Sequence, residues 1–330
     1  MLLLGSGTPP SHSQSLGGVP LGKIAFLKDD GVWVANVNGF HQMRVTPPTV
    51  KVDDFLFSRG GRYLAFSEVV GSTAEDGIFD SADARPQRAV TRIVVLDMST
   101  GSVRRTTDSG FVDIDGWFSE DRLLYNIAGS FDVGEFYLYD ARWDSTSMLR
   151  GDPERLLTSD VNDSAGFEVY AGESGRDLHL HNQRTAVDTV LFPHGGNICD
   201  PRIAHDGKKI AFVEFNDLQK PWIDVVWLYQ LDSSRWTSIY RCPAQNKVLG
   251  VGGVGWSLDD RYLGMLYEPN AVIFDVQNGS VVANVTGTNF SWITDSKLVF
   301  NRGNDSYVFD AATNFTSLFM LGVHKVVLVK

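Results

Sequence analysis

Cysteine is nearly missing from this chain: Cys199 and Cys242 are the only two in 330 residues, too few for a disulfide framework. No stretch approaches the roughly 18 consecutive apolar residues that a membrane-spanning helix needs, and residues 1–4 are too short an apolar run for a signal peptide. Positive charge is also scarce. With 29 Lys and Arg against 40 Asp and Glu the formal charge is −11, so the summed field repels phosphate backbones and anionic lipid surfaces. Nucleic acid is therefore not an expected partner. The neighbours Arg104 and Arg105 would point to opposite faces of a strand and read as solvated edge charges. Gly-x-Ser-x-Gly is absent, which removes the nucleophile elbow of serine hydrolases. No long helical period is present either.

What the chain has in quantity is glycine, aromatics and a repeat. Five segments run an aromatic or small residue into a polar turn and then into a basic residue opening an apolar strand. They are Phe57-Ser58-Arg59-Gly60-Gly61-Arg62-Tyr63-Leu64, Phe118-Ser119-Glu120-Asp121-Arg122-Leu123, Ala204-His205-Asp206-Gly207-Lys208-Lys209-Ile210, Trp256-Ser257-Leu258-Asp259-Asp260-Arg261-Tyr262 and Trp292-Ile293-Thr294-Asp295-Ser296-Lys297-Leu298. Two strands joined by an Asp/Gly turn, recurring about every 45 residues, are the sequence form of a β-propeller. The chain is accordingly expected to be all-β, with residues 1–22 a flexible Gly/Ser/Pro-rich lead-in and 23–330 one propeller domain.

Each repeat offers four strands. Second strands are expected to begin near Lys23, Arg62, Arg122, Gly166, Lys208, Arg261 and Lys297, which makes seven blades; the fourth repeat is short and lacks a clear inner strand, so six also fit. Third strands rich in β-branched and aromatic residues end in Asp97, Asp140, Asp275 and Asp310. Outer strands close with Arg44-Val45-Thr46, Arg105-Thr106-Thr107 and Leu156-Leu157-Thr158. Because the chain enters at the second strand of blade 1, the missing inner strand is expected from residues 323–329, closing the ring and removing two exposed sheet edges. Cys199 and Cys242 then fall at opposite margins of one sheet and are expected as free thiols.

This composite resembles the TolB-like propeller repeat, also called the PD40 or WD40-like repeat, whose pattern has Ser-Pro-Asp-Gly at the first turn and Leu-Thr at the end. No copy here keeps the full Ser-Pro-Asp-Gly turn. The resemblance implies a non-catalytic scaffold role, periplasmic or extracellular if a leader has been removed. Six Asn-x-Ser/Thr triplets, at Asn162, Asn278, Asn284, Asn289, Asn304 and Asn314, would accept glycans only in a secretory pathway, and turns rich in Asn, Ser and Thr also produce them by chance.

Candidate site residues follow from the propeller geometry. Aligning second strands on their aromatic residue puts Lys28, Glu68, Glu214, Tyr267 and Arg302 in one ring near the upper mouth of the channel, with Gly172 and Ile127 in the other blades. Two insertions follow second strands. Residues 70–90 carry Glu75, Asp76, Asp80 and Asp83, and residues 216–222 carry Lys220, Pro221 and Trp222. Trp222 stands outside the repeat and is the better contact candidate, whereas Trp117, Trp256 and Trp292 recur and should stack blades. Inner strands open with Asp53, Asp54, Asp113, Asp115 and Asp200, making an acidic mouth suited to a basic peptide, a cation or a sugar. The competing role for each carboxylate is to cap a turn or face solvent. His179 and His181 share one strand face and, with His194 or His205, would form a metal site for Ca or Mn resembling that of propeller-type polysaccharide lyases.

Two functions are therefore expected to compete. The favoured one is a monomeric, non-catalytic propeller that binds a protein or peptide, basic in character, on its acidic upper face, with no cofactor. The alternative is a carbohydrate-active enzyme, a polysaccharide lyase or glycosidase, working in the channel with mouth carboxylates or a histidine-bound metal.

Overall fold

The computed structural model describes residues 22–58, 60–73, 88–117, 119–127, 135–148, 159–162, 164–172, 175–193, 197–216, 223–243, 253–267 and 269–329. Seven four-stranded antiparallel sheets make seven blades. Blade 1 holds β1 (Lys23–Lys28), β2 (Gly31–Asn36) and β3 (Met43–Arg44). Blade 2 holds β4 (Val52–Phe57), β5 (Tyr63–Thr73), β6 (Arg88–Asp97) and β7 (Ser102–Arg105). Blade 3 holds β8 (Val112–Trp117), β9 (Arg122–Ile127), β10 (Glu135–Asp140) and β11 (Ser145–Met148). Blade 4 holds β12 (Ser159–Asn162), β13 (Phe167–Ala171), β14 (Asp177–Asn182) and β15 (Val187–Pro193). Blade 5 holds β16 (Asn197–Ile203), β17 (Lys209–Asn216), β18 (Ile223–Gln230) and β19 (Arg235–Pro243). Blade 6 holds β20 (Gly253–Trp256), β21 (Tyr262–Tyr267), β22 (Asn270–Asp275) and β23 (Ser280–Thr286). Blade 7 holds β24 (Thr288–Trp292), β25 (Lys297–Arg302), β26 (Asp305–Asp310) and β27 (Phe315–Met320). The tail strand β28 (Lys325–Val329) completes blade 1, pairing with β1 from Lys23↔Val329 to Leu27↔Lys325.

Six of the seven second strands start within one residue of the basic residue that marks the repeat, and the seventh, β13, starts one residue after Gly166. The fourth blade differs from expectation: β12 is an inner strand of only four residues, Ser-Asp-Val-Asn, with no aromatic to mark it in the sequence. Blade 3 takes β11 as its outer strand; Leu156-Leu157-Thr158, His194, the lead-in through residue 21 and the tips of both insertions, with Trp222, lie outside the described residues. No helix among the described residues is long and apolar enough to cross a membrane.

Second strands read as unbroken apolar runs because both of their faces are buried. Leu64 and Phe66 pack with Ala25, Val34 and Val329 of blade 1, while the alternate residues Tyr63 and Ala65 pack with Leu123, Tyr125 and Tyr139 of blade 3. The same two-sided pattern recurs between blades 4 and 5, 5 and 6, 6 and 7, and 7 and 1, so the core is a set of inter-blade layers.

Polar residues of the repeat lock each layer. Arg62 lies over the Tyr63 ring at 4.9 Å, Tyr63 stacks on Trp117 of the next blade at 5.8 Å, and Trp117 Nε1–H donates to the Leu56 carbonyl at 3.2 Å. Blade 6 repeats the device, with Arg261 over Tyr262 at 5.0 Å, Tyr262 stacked on Trp292 at 6.1 Å, and Trp292 donating to the Gly255 carbonyl at 3.0 Å. Trp256 donates in the same way to the Arg202 carbonyl at 3.2 Å. The three repeat tryptophans thus join blade to blade. The Asp that ends a third strand has two tasks: Asp275 bonds Arg261 at 3.1 Å and accepts from Gln277 N–H at 2.9 Å, closing the following turn.

Cys199 lies on β16 and Cys242 on β19, the two margins of one sheet, with two strands between them. Three strand spacings of about 4.8 Å each put about 14 Å between them, beyond disulfide reach.

Candidate functional site

The inner strands β28, β4, β8, β12, β16, β20 and β24 form the channel wall, with contact between β4 and β8, along β12, β16, β20, β24 and β28, and from β28 to β4 through Lys325 and Asp54. Their residues are distributed unevenly. Asp53 and Asp54 lie on β4, Asp113 and Asp115 on β8, Asp160 on β12, and Asp200 with Arg202 on β16. By contrast β20 contributes Gly253 and Gly255, β24 Asn289, and β28 Lys325. Carboxylates thus fill the arc from blade 2 to blade 5, while blade 6 leaves its wall bare.

Backbone irregularity sets where several of these side chains point. Register breaks between Val52 and Phe55, Ile114 and Gly116, Cys199 and Arg202, and Thr288 and Ser291 mark bulges in four inner strands. The residues they skip include Asp53, Asp54, Asp115, Asp200 and Asn289. A bulge frees a residue from the ladder and re-aims its side chain. Asp200 at φ 46° and Asn289 at φ 53° are short polar residues of the kind that tolerate the left-handed region.

The carboxylates repel one another. Burial raises the Asp53 pKa above the ordinary carboxylate value, and Asp54 and Asp113 push it further in the same direction, with Lys51 opposing them. Asp115 is raised to about 6, chiefly by burial and further by Asp113, although Asn126 Nδ2 donates to both of its oxygens at 3.1 and 3.2 Å. Asp200 is raised by burial and by Asp160 despite its Arg202 ion pair and the Val254 N–H that it accepts at 3.1 Å. Lys325 Nζ bridges to Asp54 at 2.5 Å, tying the tail strand to blade 2. Two of the acids also serve the fold, since Asp160 accepts the Ile203 N–H at 2.8 Å just as Asp200 accepts that of Val254. Each thereby satisfies a main-chain donor of the next inner strand.

Among the described residues no three His, Cys, Asp or Glu gather as a metal cluster. His179 stacks on Tyr170 at 5.1 Å, and His181 Nδ1 lies 3.2 Å from Asp188, which also accepts from the Tyr170 hydroxyl at 3.0 Å. His205 belongs to another blade, where its ring and its N–H both meet Asp260 at 2.8 Å. Asp260 also accepts the Asp206 N–H at 2.7 Å, so the turn of blade 6 clips that of blade 5. Glu120 plays the same part between blades 3 and 2, accepting from Ser58 Oγ at 2.7 Å and from the Gly60 and Arg62 amides.

The expected ring on the second strands stands one strand back from the wall; Glu68, Glu214 and Lys28 spend their contacts within their own blades, and Arg302 reaches the neighbouring one. Glu68 pairs with Arg92 at 2.7 Å, Glu214 accepts from Trp227 Nε1 at 2.8 Å, Lys28 lies 5.8 Å over Trp33, and Arg302 lies against the stacked Phe300 and Tyr307 rings at 5.0 and 5.4 Å while its Nε donates to the Thr286 carbonyl of blade 6 at 2.8 Å. Gly172 is glycine for a packing reason: a Cβ there would stand 2.9 Å from the His179 ring. The Tyr267 backbone ends β21, and its side chain lies outside the described residues. Of the expected site residues the structure therefore brings together Asp53 and Asp113 across neighbouring inner strands, with Asp200 farther along the same arc. Asp160, Arg202 and Lys325 join the wall without having been singled out in the sequence; a four-residue strand and a C-terminal tail carry no repeat signature. Asp160 and Arg202 also line a cavity of about 620 Å³ between blades 4, 5 and 6, together with Asn162, His205 and Trp256.

No family model and no curated protein matches the sequence. Solved structures do match in fold. KlHsv2 with loop 6CD replaced by a Gly-Ser linker is 13% identical with a TM-score of 0.51, over 94% of this chain and 96% of that one. TolB from Acinetobacter baumannii is 12% identical with a TM-score of 0.46; the match covers 93% of this chain, which spans only 66% of that one. An oligogalacturonate lyase in complex with manganese is 15% identical with a TM-score of 0.45, over 92% of this chain and 86% of that one. At these identities the likeness is one of fold: the chain is a seven-bladed β-propeller.

Proposed function

We propose that this protein is a non-catalytic propeller, TolB-like in its repeat, whose acidic channel mouth binds a basic polypeptide segment. The observation that carries the reading is the arc of carboxylates on four consecutive inner strands, with Asp53, Asp115 and Asp200 all held above the ordinary pKa. A cluster that repels itself when ionised gains most from a cation placed among its members, because the ligand relieves repulsion as well as adding attraction. Spreading the carboxylates around the wall, rather than converging them on one point, favours several ammonium or guanidinium groups along an extended chain over a single metal ion.

The test is the binding of a fluorescent octalysine peptide to the full chain at low salt. The double variant Asp53→Asn/Asp113→Asn is expected to weaken binding at least about tenfold, an amount that about 1.4 kcal/mol of lost attraction supplies. A control with the same net charge, Asp188→Asn/Asp232→Asn, changes exposed acids on and beside outer strands, away from the inner strands, and is expected to bind like the parent. Equal loss in both variants would show that only net charge matters and would refute a site. Turnover of a uronate-rich polysaccharide by the parent protein would refute the non-catalytic reading.

A further inference from the structure

The outer rim of blades 6 and 7 is unlike the rest of the molecule. No charged residue occurs from position 276 to 294 or from 311 to 323, so the edge strands β23 and β27 are both charge-free. Elsewhere the edges are guarded: β7 carries Arg104 and Arg105, β15 Asp188, β19 Arg235 and Arg241, and Arg142 and Asp144 precede β11. The unguarded edges are also apolar, with Val281, Phe315 and Leu318 exposed by 45%, 65% and 51%. Ser280-Val281-Val282-Ala283-Asn284-Val285-Thr286 and Phe315-Thr316-Ser317-Leu318-Phe319-Met320 thus combine strand propensity, hydrophobicity and no charge on an open edge, a template for pairing with another chain.

Five of the six Asn-x-Ser/Thr triplets fall on these same two blades. Asn278 sits in the turn that opens β23 and Asn284 on β23 itself; Asn304 and Asn314 sit in the turns before β26 and β27, and all four are exposed. Asn278 engages its amide oxygen, which accepts from Ser280 N–H at 2.9 Å, and not the nitrogen that a sugar would take. The remaining two triplets are built into the fold through that nitrogen. Asn162 Nδ2 donates to the Ala204 and His205 carbonyls at 2.9 and 3.2 Å, and Asn289 Nδ2 donates to the His324 carbonyl at 2.9 Å.

We propose that the rim of blades 6 and 7 is an N-glycan acceptor face, occupied at Asn278, Asn284, Asn304 and Asn314, and that the glycans replace charge as the guard of edges β23 and β27. The donor class is a polyprenyl-diphosphate-linked oligosaccharide. The side-chain nitrogen bonds to C1 of the first sugar, the C1–O bond to diphosphate breaks with its electron pair leaving on the lipid diphosphate, and the amide gives up one proton. Transfer precedes folding, so the fold decides which modified chains survive: a sugar on Asn162 or Asn289 would displace an inter-blade bond, whereas one on the four rim positions projects into solvent. The acidic arc of blades 2 to 5 stays uncovered, and this inference stands independently of what binds there.

The experiment sends the full chain, behind a cleavable leader, through a eukaryotic secretory pathway, then releases glycans with peptide-N-glycosidase in ¹⁸O-water and reads each triplet by mass spectrometry. Label is expected at positions 278, 284, 304 and 314 in most secreted molecules and absent at 162 and 289. The variant Asn284→Gln/Asn314→Gln, with an unchanged circular dichroism spectrum, is expected to self-associate at concentrations where the glycosylated parent is monomeric. Four vacant rim positions, equal label at 162 and 289, or a glycan-free protein as soluble and monomeric as the glycosylated one would each overturn the proposal.

Discussion

Asp260 shows how much one carboxylate in a turn does for the fold. It is buried and receives two main-chain N–H groups and the His205 ring from the preceding blade. Burial works to raise its pKa, but the His205 and Asp206 donors hold it below the ordinary carboxylate value. Asp260→Ala strands those donors and is expected to cost about 2–3 kcal/mol in chemical denaturation, with Asp260→Asn losing less because it keeps an acceptor and tolerates the residue's positive φ. Since its folded pKa is depressed, the contribution of Asp260 is present above the unfolded carboxylate pKa and is lost as pH falls toward the folded one. Asp115 has the opposite sign. Its folded pKa, about 6, lies above the 3.8 of an unperturbed Asp, so its ionisation destabilises the fold fully above about pH 6 and not at all below about pH 4. Asp115→Asn is expected to add about 1 kcal/mol at pH 7, after allowance for solvent screening, and nothing at pH 3.5; denaturation midpoints at the two pH values measure this. Binding of the octalysine probe should weaken as pH falls through 6, where Asp115 gives up the charge the probe needs.

At the scale of the element, the tail strand decides whether the ring exists. Val323, Val326 and Val329 are almost wholly buried, each worth about 1.5–3 kcal/mol, and β28 also supplies the ladder that β1 would otherwise lack. That sum is comparable with the whole stability of a typical domain, about 5–15 kcal/mol. Deleting residues 323–330 should therefore abolish the cooperative unfolding transition, whereas deleting residues 1–20 should leave its midpoint nearly unchanged. The elements themselves were largely readable in the sequence, because a second strand buried on both faces must be a continuous apolar run, and in blades 2 and 6 its opening arginine pairs with the third-strand aspartate and covers the tyrosine ring. The exceptions have physical reasons. β12 has four residues and no aromatic to announce it, and its partner β13 follows Gly166 where the other repeats have a basic residue.

Across the whole molecule the charge is divided by position: carboxylates occupy the channel wall of blades 2 to 5, and the rim of blades 6 and 7 has none. Attraction of a cationic peptide to the wall should be strong at low ionic strength and nearly gone at 1 M salt, where the screening length falls to about 3 Å; fluorescence anisotropy across a salt series reads this directly. All four of Asp53, Asp113, Asp115 and Asp200 were expected at inner-strand starts; Asp53 and Asp113 stand second in β4 and β8, whereas Asp115 and Asp200 stand fourth in β8 and β16. The sequence could not tell that Glu68 and Glu214, equally regular in spacing, spend their charge and hydrogen-bonding capacity inside their own blades on Arg92 and Trp227. Spacing along a strand gives the face on which a side chain lies but not the partner it meets there.

The sequence alone determined the repeat, the starts of its second strands, the closing role of the tail and the sign of the field, because each follows from local periodicity or from a sum over residues, while the choice of seven blades over six waited on the short strand β12. Only the tertiary structure decided which acids stand together, which asparagines are tied into the fold and which polar turns clip one blade to the next. Those are contacts between residues far apart in the chain, set by bulges and by the angle between successive sheets, and no local pattern encodes them.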